Sequence, residues 1–193
     1  MSIEISNGTK KYGDKAVLSG VNHTFEDGKH YVIMGESGCG KTTLLRCILG
    51  LEKLDDGSIS YSGKKMSVVF QEPRLIEQKN ALINVSLVIK NAKKQEERIK
   101  EQLTRVGLGE NMMKPVKKLS GGMKQRVSIV RGMIVDADTY ILDEPFKGLD
   151  ENTKQLVMEY ISQCCENKTM ILVTHERVEA DFFARKGAEV IGM

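Results

Sequence analysis

The segment Gly35-Glu36-Ser37-Gly38-Cys39-Gly40-Lys41-Thr42 constrains this chain more than any other feature. It fits G-x-x-x-x-G-K-[ST], follows the apolar run Val32-Ile33-Met34, and opens a helical pattern from Thr42 to Leu49. A strand, a glycine-rich loop and a helix in that order make a cradle for an anion. Glycines let the backbone curl so that successive N–H groups point inward. The N-terminus of the following helix adds positive potential. Lys41 brings a full charge for the β- and γ-phosphates of a nucleotide, and Thr42 a hydroxyl for Mg²⁺. Residues 35–42, with Thr43 beside them, form the candidate phosphate-binding set.

Such a loop needs a sheet to hold it, and the hydrophobic pattern supplies one. Val32-Ile33-Met34, Ser67-Val68-Val69-Phe70, Tyr140-Ile141-Leu142 and Met170-Ile171-Leu172-Val173 are strand-length runs apolar on both faces, as in the middle of a parallel sheet. Between them, Met123, Val127, Val130 and Ile134 recur at helical spacing, as do Leu156, Tyr160, Ile161 and Cys164. Strands alternating with helices predict an α/β fold. Two regions depart from this plan. Residues 2–31 and 57–66 are strand-like, with turn signals at Tyr12-Gly13-Asp14, Asp27-Gly28, Asp56-Gly57 and Ser62-Gly63, and are expected as antiparallel strands flanking the core. Residues 75–118 are helical in character and predict a small inserted lobe. Its charge run, Lys93 to Arg98, is expected to be a solvated helix face.

Composition narrows the class. A chain of 193 residues suits one domain, or one core with a small lobe. A net charge of +3 gives no bulk attraction for nucleic acid. Cys39, Cys47, Cys164 and Cys165 form no metal-ligand spacing and are expected as reduced thiols. The polar start, Met1 to Lys11, lacks the apolar core of a signal peptide. No apolar run approaches the roughly 20 residues a membrane helix needs, so any membrane role is expected to work by docking, without insertion.

Two further segments carry candidate chemistry. Tyr140-Ile141-Leu142-Asp143-Glu144 is a buried strand ending in two carboxylates, at the strand end where ligands of open α/β sheets bind. Asp143 is placed to hold Mg²⁺ through a water, and Glu144 to polarise an attacking water as general base. The bland alternative is that both solvate a strand end. Leu119-Ser120-Gly121-Gly122-Met123-Lys124-Gln125-Arg126 leads into the second periodic helix. Ser120 is a good N-cap, and two glycines leave N–H groups uncovered. This is either a second anion-binding helix terminus or simply a well-capped helix.

LSGGMKQR resembles the signature sequence of ATP-binding cassette (ABC) proteins, and the family's remaining motifs appear in order along nearly the whole chain. Tyr12 resembles the aromatic residue that stacks on adenine. Gln71 in Phe70-Gln71-Glu72-Pro73 resembles the Q-loop glutamine, Gly148-Leu149-Asp150 the D-loop, and His175 in Val173-Thr174-His175-Glu176 the switch histidine. Singly, each has a plainer reading: a turn aromatic, a polar strand end, a helix N-cap at Asp150, a strand-terminal histidine. The departures are Asp138, where the family often has proline, and Val130-Arg131-Gly132-Met133, which replaces an alanine-rich pattern; neither touches an expected phosphate or metal role. The chain ends soon after the His175 strand and one more helix and strand, so no C-terminal regulatory domain is expected.

The resemblance implies a P-loop NTPase (RecA-like) core with a parallel sheet, an antiparallel β-subdomain and an inserted helical subdomain. Residues 1–193 would be one ABC ATPase domain, with 1–74 and 136–193 as nucleotide-binding core and 75–135 as the helical part. It implies an ATPase that binds ATP and Mg²⁺. Glu144, His175 and Gln71 would be catalytic. Thr42, Gln71 and Asp143 would serve the metal. Ser120 and Gly122 would clasp ATP held by a second subunit, and Gly121 and Asp150 would join the nucleotide-binding set. The implied assembly is an ATP-dependent head-to-tail dimer, of two copies or with a paralogue. That dimer would be peripheral on the cytoplasmic face of the cell membrane through a separate transmembrane permease, with no direct nucleic-acid contact. The Gln71 and Ser120 segments look most like those of bacterial importer subunits for small solutes. The alternative is a soluble non-transport cassette ATPase acting on nucleic acid or the ribosome, a class that usually carries coiled coils or two cassettes per chain. A phosphoryl-transfer kinase would leave the signature and His175 unexplained.

Overall fold

The computed structural model describes residues 2–61, 63 and 65–193; Ser62, from the expected Ser62-Gly63 turn, lies outside the described residues, as do Met1 and Lys64. The chain divides into two compact units, one of Met1–Met66, Ala137–Asp143 and Asn167–Met193, the other of Ser67–Asp136 and Glu144–Glu166.

The first unit contains an antiparallel and a parallel sheet. β1 (Ile3–Tyr12), β2 (Lys15–Phe25) and β4 (Asp56–Ser60) form the antiparallel sheet in the order β2-β1-β4. Its register pairs Ile3 with Phe25 and Ile5 with Ile59, so the apolar residues of three strands share one face. The Asp27-Gly28 turn then ends this sheet: Lys29 N–H donates to Glu26 O at 3.4 Å, and the chain enters β3 (His30–Met34). His30 and Tyr31 therefore belong to the parallel sheet and not, as expected, to the antiparallel one. Likewise the strand expected over 57–66 stops at Ser60, and Met66 already begins β5 (Met66–Val69).

β3 pairs in parallel with β7 (Thr169–Thr174) and with β8 (Glu189–Gly192), and β6 (Thr139–Asp143) pairs in parallel with β7. Every residue of β6 and β7 is buried, as their uninterrupted apolar sequences require. Helices α1 (Lys41–Ile48) and α6 (Arg177–Arg185) belong to this unit; α1 buries Leu44, Leu45, Cys47 and Ile48. Asp138 shows why proline is not needed before β6. Its N–H donates to Lys65 O at 2.8 Å, which proline could not do, and its carboxylate accepts from Lys65 N at 3.0 Å.

The second unit is mainly helical. It holds α2 (Ala81–Ser86), α3 (Glu96–Arg105), α4 (Gly121–Met133) and α5 (Glu151–Cys164), with short 3₁₀ turns at Ala92–Gln95, Gly109–Asn111 and Val116–Lys118. Lys93 to Arg98 lie mostly exposed, as the charge run predicts. Arg98 also donates to Ile134 O at 3.1 Å, closing the C-terminal end of α4. Asn84, fully buried, accepts from Ile76 N at 2.8 Å and donates to the Asn80 and Ile76 carbonyls, pinning the chain that enters α2. None of the four cysteines forms a disulfide.

Candidate functional site

In the first unit the loop 35–42 leaves the end of β3 and closes around the side chain of Lys41. That lysine is 5% exposed, and its Nζ donates to Gly35 O and Glu36 O, both at 2.8 Å. Cys39 Sγ stands 3.7 Å from the same nitrogen. The loop thus folds on its own cation, and α1 begins at Lys41 itself with Gly40 as its N-cap. Gly40 has φ 111°, and a Cβ there would lie 2.7 Å from Val17 O, so only glycine fits where the loop crosses β2. Ser37, Gly38 and Cys39 form the turn between Glu36 and the cap, with Cys39 N–H on Glu36 O at 3.3 Å.

Next along α1, Thr42 Oγ1 donates to Asp143 Oδ1 at 3.2 Å. Asp143 is 4% exposed at the end of β6, so a buried carboxylate and a hydroxyl meet beside the loop. Both are hard oxygen donors. Among the described residues no three His, Cys, Asp or Glu side chains converge. Mg²⁺ needs no such cluster, since it takes one or two protein oxygens and keeps water and phosphate for the rest. The residues present fit that ion.

Two more expected residues belong to this unit. Tyr12, 48% exposed at the end of β1, donates its hydroxyl to Glu52 and lies within hydrogen-bonding reach of Thr43 on α1. The bond to Glu52 raises the Tyr12 phenol and lowers the Glu52 carboxyl from their ordinary values. An accessible aromatic ring is therefore tethered next to the phosphate loop. His175 follows β7 directly, with Nε2 3.5 Å from Glu176 Oε1. It shares a cavity of about 680 Å³ with Gly35, Glu36, Ser37, Arg177 and Met193. The turn that presents it is braced by Thr174, whose hydroxyl donates to the buried Glu179 and accepts from Glu176 N at 3.0 Å.

In the second unit, Glu144 has φ 43°, a left-handed conformation uncommon for a non-glycine residue. Gln71 Nε2 donates to its Oε2 at 3.0 Å, which joins two of the residues expected to be catalytic. Ser120 caps α4, its hydroxyl accepting from Met123 N at 3.3 Å. A Cβ on Gly121 would meet nothing within 4 Å, whereas one on Gly122 would lie 3.1 Å from Gly148 O. The first glycine leaves the helix terminus open; the second lets it approach the 148–150 turn. Asp150 caps α5 by accepting from Thr153 N at 3.0 Å, and that bond holds its carboxyl below the ordinary range.

Two side chains here escaped sequence reasoning. Gln125, 3% exposed, donates to Pro145 O at 3.1 Å and so holds the chain just after Glu144. Arg126 donates to Val106 O at 2.7 Å and to Gly107 O at 3.2 Å. Both stand in the LSGGMKQR segment, but nothing in the sequence shows which carbonyls they reach.

A phosphate loop closing on its own lysine, a parallel sheet behind it and a hydroxyl–carboxylate pair at its edge define a P-loop nucleoside triphosphatase, with an antiparallel sheet and helices added. The sequence profile described as "ABC transporter" matches residues 18–147. The chain belongs to the ABC transporter family, and it is an ATP-binding, ATP-hydrolysing cassette of that family. It is 36% identical over 182 residues to the aliphatic sulfonates import ATP-binding protein of Rhodococcus jostii, covering 93% of this chain and 68% of that one. It is 38% identical over 178 residues to a bicarbonate transport ATP-binding protein of Synechococcus elongatus, covering 84% of this chain but 27% of that longer one. Against the maltose/maltodextrin import ATP-binding protein of Aliivibrio fischeri the identity is 35% over 201 residues, covering 96% and 54% of the two chains. A dimeric bacterial ABC transporter cassette superposes with TM-score 0.86 at 28% identity, covering 98% of this chain and 94% of that one. A dimeric cassette in a post-hydrolysis state with ADP and Pi gives TM-score 0.84, also at 28% identity, covering 93% and 90%.

Proposed function

We propose that this chain is the ATP-driven motor of an importer for a small solute, acting as a head-to-tail dimer on the cytoplasmic side of a separate transmembrane permease. The observation that carries the reading is the closed loop around Lys41 together with the Ser120-capped, glycine-open start of α4, two helix termini in one chain of a kind suited to anions. The import names of the relatives favour transport over the nucleic-acid or ribosome alternative.

In this reading Lys41 exchanges its loop carbonyls for β- and γ-phosphate oxygens, and the N–H groups of 35–43 bind the remaining ones. Thr42 and Asp143 would hold Mg²⁺, and the ion would neutralise phosphate charge there. Tyr12 stacks on the adenine. Glu144 accepts the proton of the attacking water, Gln71 keeps that carboxylate aimed, and His175 donates to the γ-phosphate. Ser120, Gly121, Gly122 and Asp150 act across the dimer on the partner's nucleotide. Loss of the γ-phosphate then removes the bridge and opens the dimer.

The test is Glu144→Gln. An amide cannot accept the proton, so turnover should fall about 10²- to 10⁴-fold while ATP binding persists. With ATP this variant should elute as a dimer on size exclusion and with ADP as a monomer, and adding Ser120→Arg should prevent the ATP dimer. A dimer that forms equally with ADP, or that survives Ser120→Arg, overturns the bridging role. For the transport half, tagged chain should recover a multi-span membrane protein from detergent-solubilised membranes. Recovery of nucleic-acid-bound or ribosomal partners instead overturns it.

A further inference from the structure

Gln71 lies in a turn, 70–74, whose backbone form its residue types do not favour. Arg74 has φ 46°, a left-handed conformation in a residue with a long side chain, and such strain persists only where surroundings impose it. Three contacts impose it. Arg74's own guanidinium stacks on Phe70 at 4.1 Å from the ring centroid, closing the turn from within. Arg131 of α4 reaches it from outside, Nη1 donating to Arg74 O at 2.9 Å and Nη2 to Pro73 O at 2.8 Å. The helix is itself pinned one residue further on. Ser67 Oγ donates to Gly132 O at 2.7 Å, and a Cβ on Gly132 would lie 2.6 Å from Val69 Cγ2. The fork of Arg131 therefore starts from a fixed point and ends on two consecutive carbonyls.

We propose that Arg131 is a positioning residue for hydrolysis. By clamping the Pro73 and Arg74 carbonyls it holds the 70–74 turn in its strained form, and so keeps the Gln71 amide on the Glu144 carboxylate, 3.0 Å away. The proposal rests on the reading that Gln71 and Glu144 serve the chemical step. It assigns a purpose to the Val130–Met133 segment, which carries no phosphate or metal role. It also ties the Gln71 turn to the helix whose first turn is Ser120-Gly121-Gly122. A planar fork suits two adjacent carbonyls, and an ammonium on a flexible stem does not reproduce it.

The experiment is a mutant cycle read as kcat and KM for ATP, with nucleotide affinity and unfolding midpoint measured in parallel. Arg131→Ala should lower kcat about 10- to 100-fold, as expected for misplacing a group at the reacting centre, with KM and ATP affinity little changed. Arg131→Lys, which keeps the charge and most of the stem, should lose kcat similarly; it also serves if the alanine variant does not fold. In Arg131→Ala/Gln71→Ala the losses should not add, because both act through one contact. Full kcat in either Arg131 variant overturns the proposal, as do additive losses or a loss confined to ATP affinity. Normal kcat in Gln71→Ala alone instead overturns the underlying reading of Gln71.

Discussion

Gly38 and Gly40 lie two residues apart in the phosphate loop, both with positive φ, 84° and 111°, yet the structure assigns them different costs when replaced by alanine. A Cβ on Gly38 meets nothing within 4 Å. Gly38→Ala therefore carries only the left-handed strain of an L-residue, about 1–2 kcal/mol. A gain of about 0.4–1 kcal/mol from a less flexible unfolded chain offsets part of it, leaving a net loss near 1 kcal/mol. A Cβ on Gly40 would lie 2.7 Å from Val17 O, 3.0 Å from Val17 Cγ1 and 3.1 Å from Leu18 Cδ2. The nearest atom is a main-chain oxygen of β2, so no rotamer change relieves the contact, and overpacking adds about 1–3 kcal/mol. Gly40→Ala should thus cost about 2–4 kcal/mol. The assay is urea unfolding without nucleotide, because bound ATP would add its own linkage term. Truncating Leu18 should not rescue Gly40→Ala. If the two variants have equal midpoints, or Gly38→Ala is the worse, the close approach of Gly40 to β2 is not what constrains this loop.

Lys41→Ala should abolish measurable ATPase activity and weaken ATP binding, since it removes the one full charge the loop encloses; normal turnover in a phosphate-release assay would exclude this loop as the ATP site. Burial pushes the Cys165 thiol well above its ordinary value. A raised folded pKa gives stability that is complete below the unfolded thiol's pKa, about 8.5, and is lost as pH climbs toward the folded value. The wild type should therefore lose more stability than Cys165→Ala between about pH 7.5 and 9.5 under reducing conditions; equal losses in denaturant midpoints would show that this thiol is not held protonated by the fold.

Much of the candidate site's local geometry was legible in the chain itself, because it is made by residues close in sequence. A Gly-x-x-x-x-Gly-Lys-Thr loop between an apolar strand and a helix has few conformations open to it, and Ser120 and Asp150 cap their helices through bonds spanning three residues. The runs of β3, β6 and β7 read as parallel strands because burial on both faces removes polar alternation. What needed tertiary structure were contacts between segments far apart in sequence. Thr42 meets Asp143 across 101 positions, Gln71 meets Glu144 across 73, and Arg131 reaches Pro73 across 58. Sequence periodicity reports which face of an element is apolar, but not which carbonyl a buried arginine or glutamine will find. The positive φ of Arg74 and Glu144 was equally hidden, since neither residue type favours it. Those backbones are held by what surrounds them, so only the folded chain could reveal them.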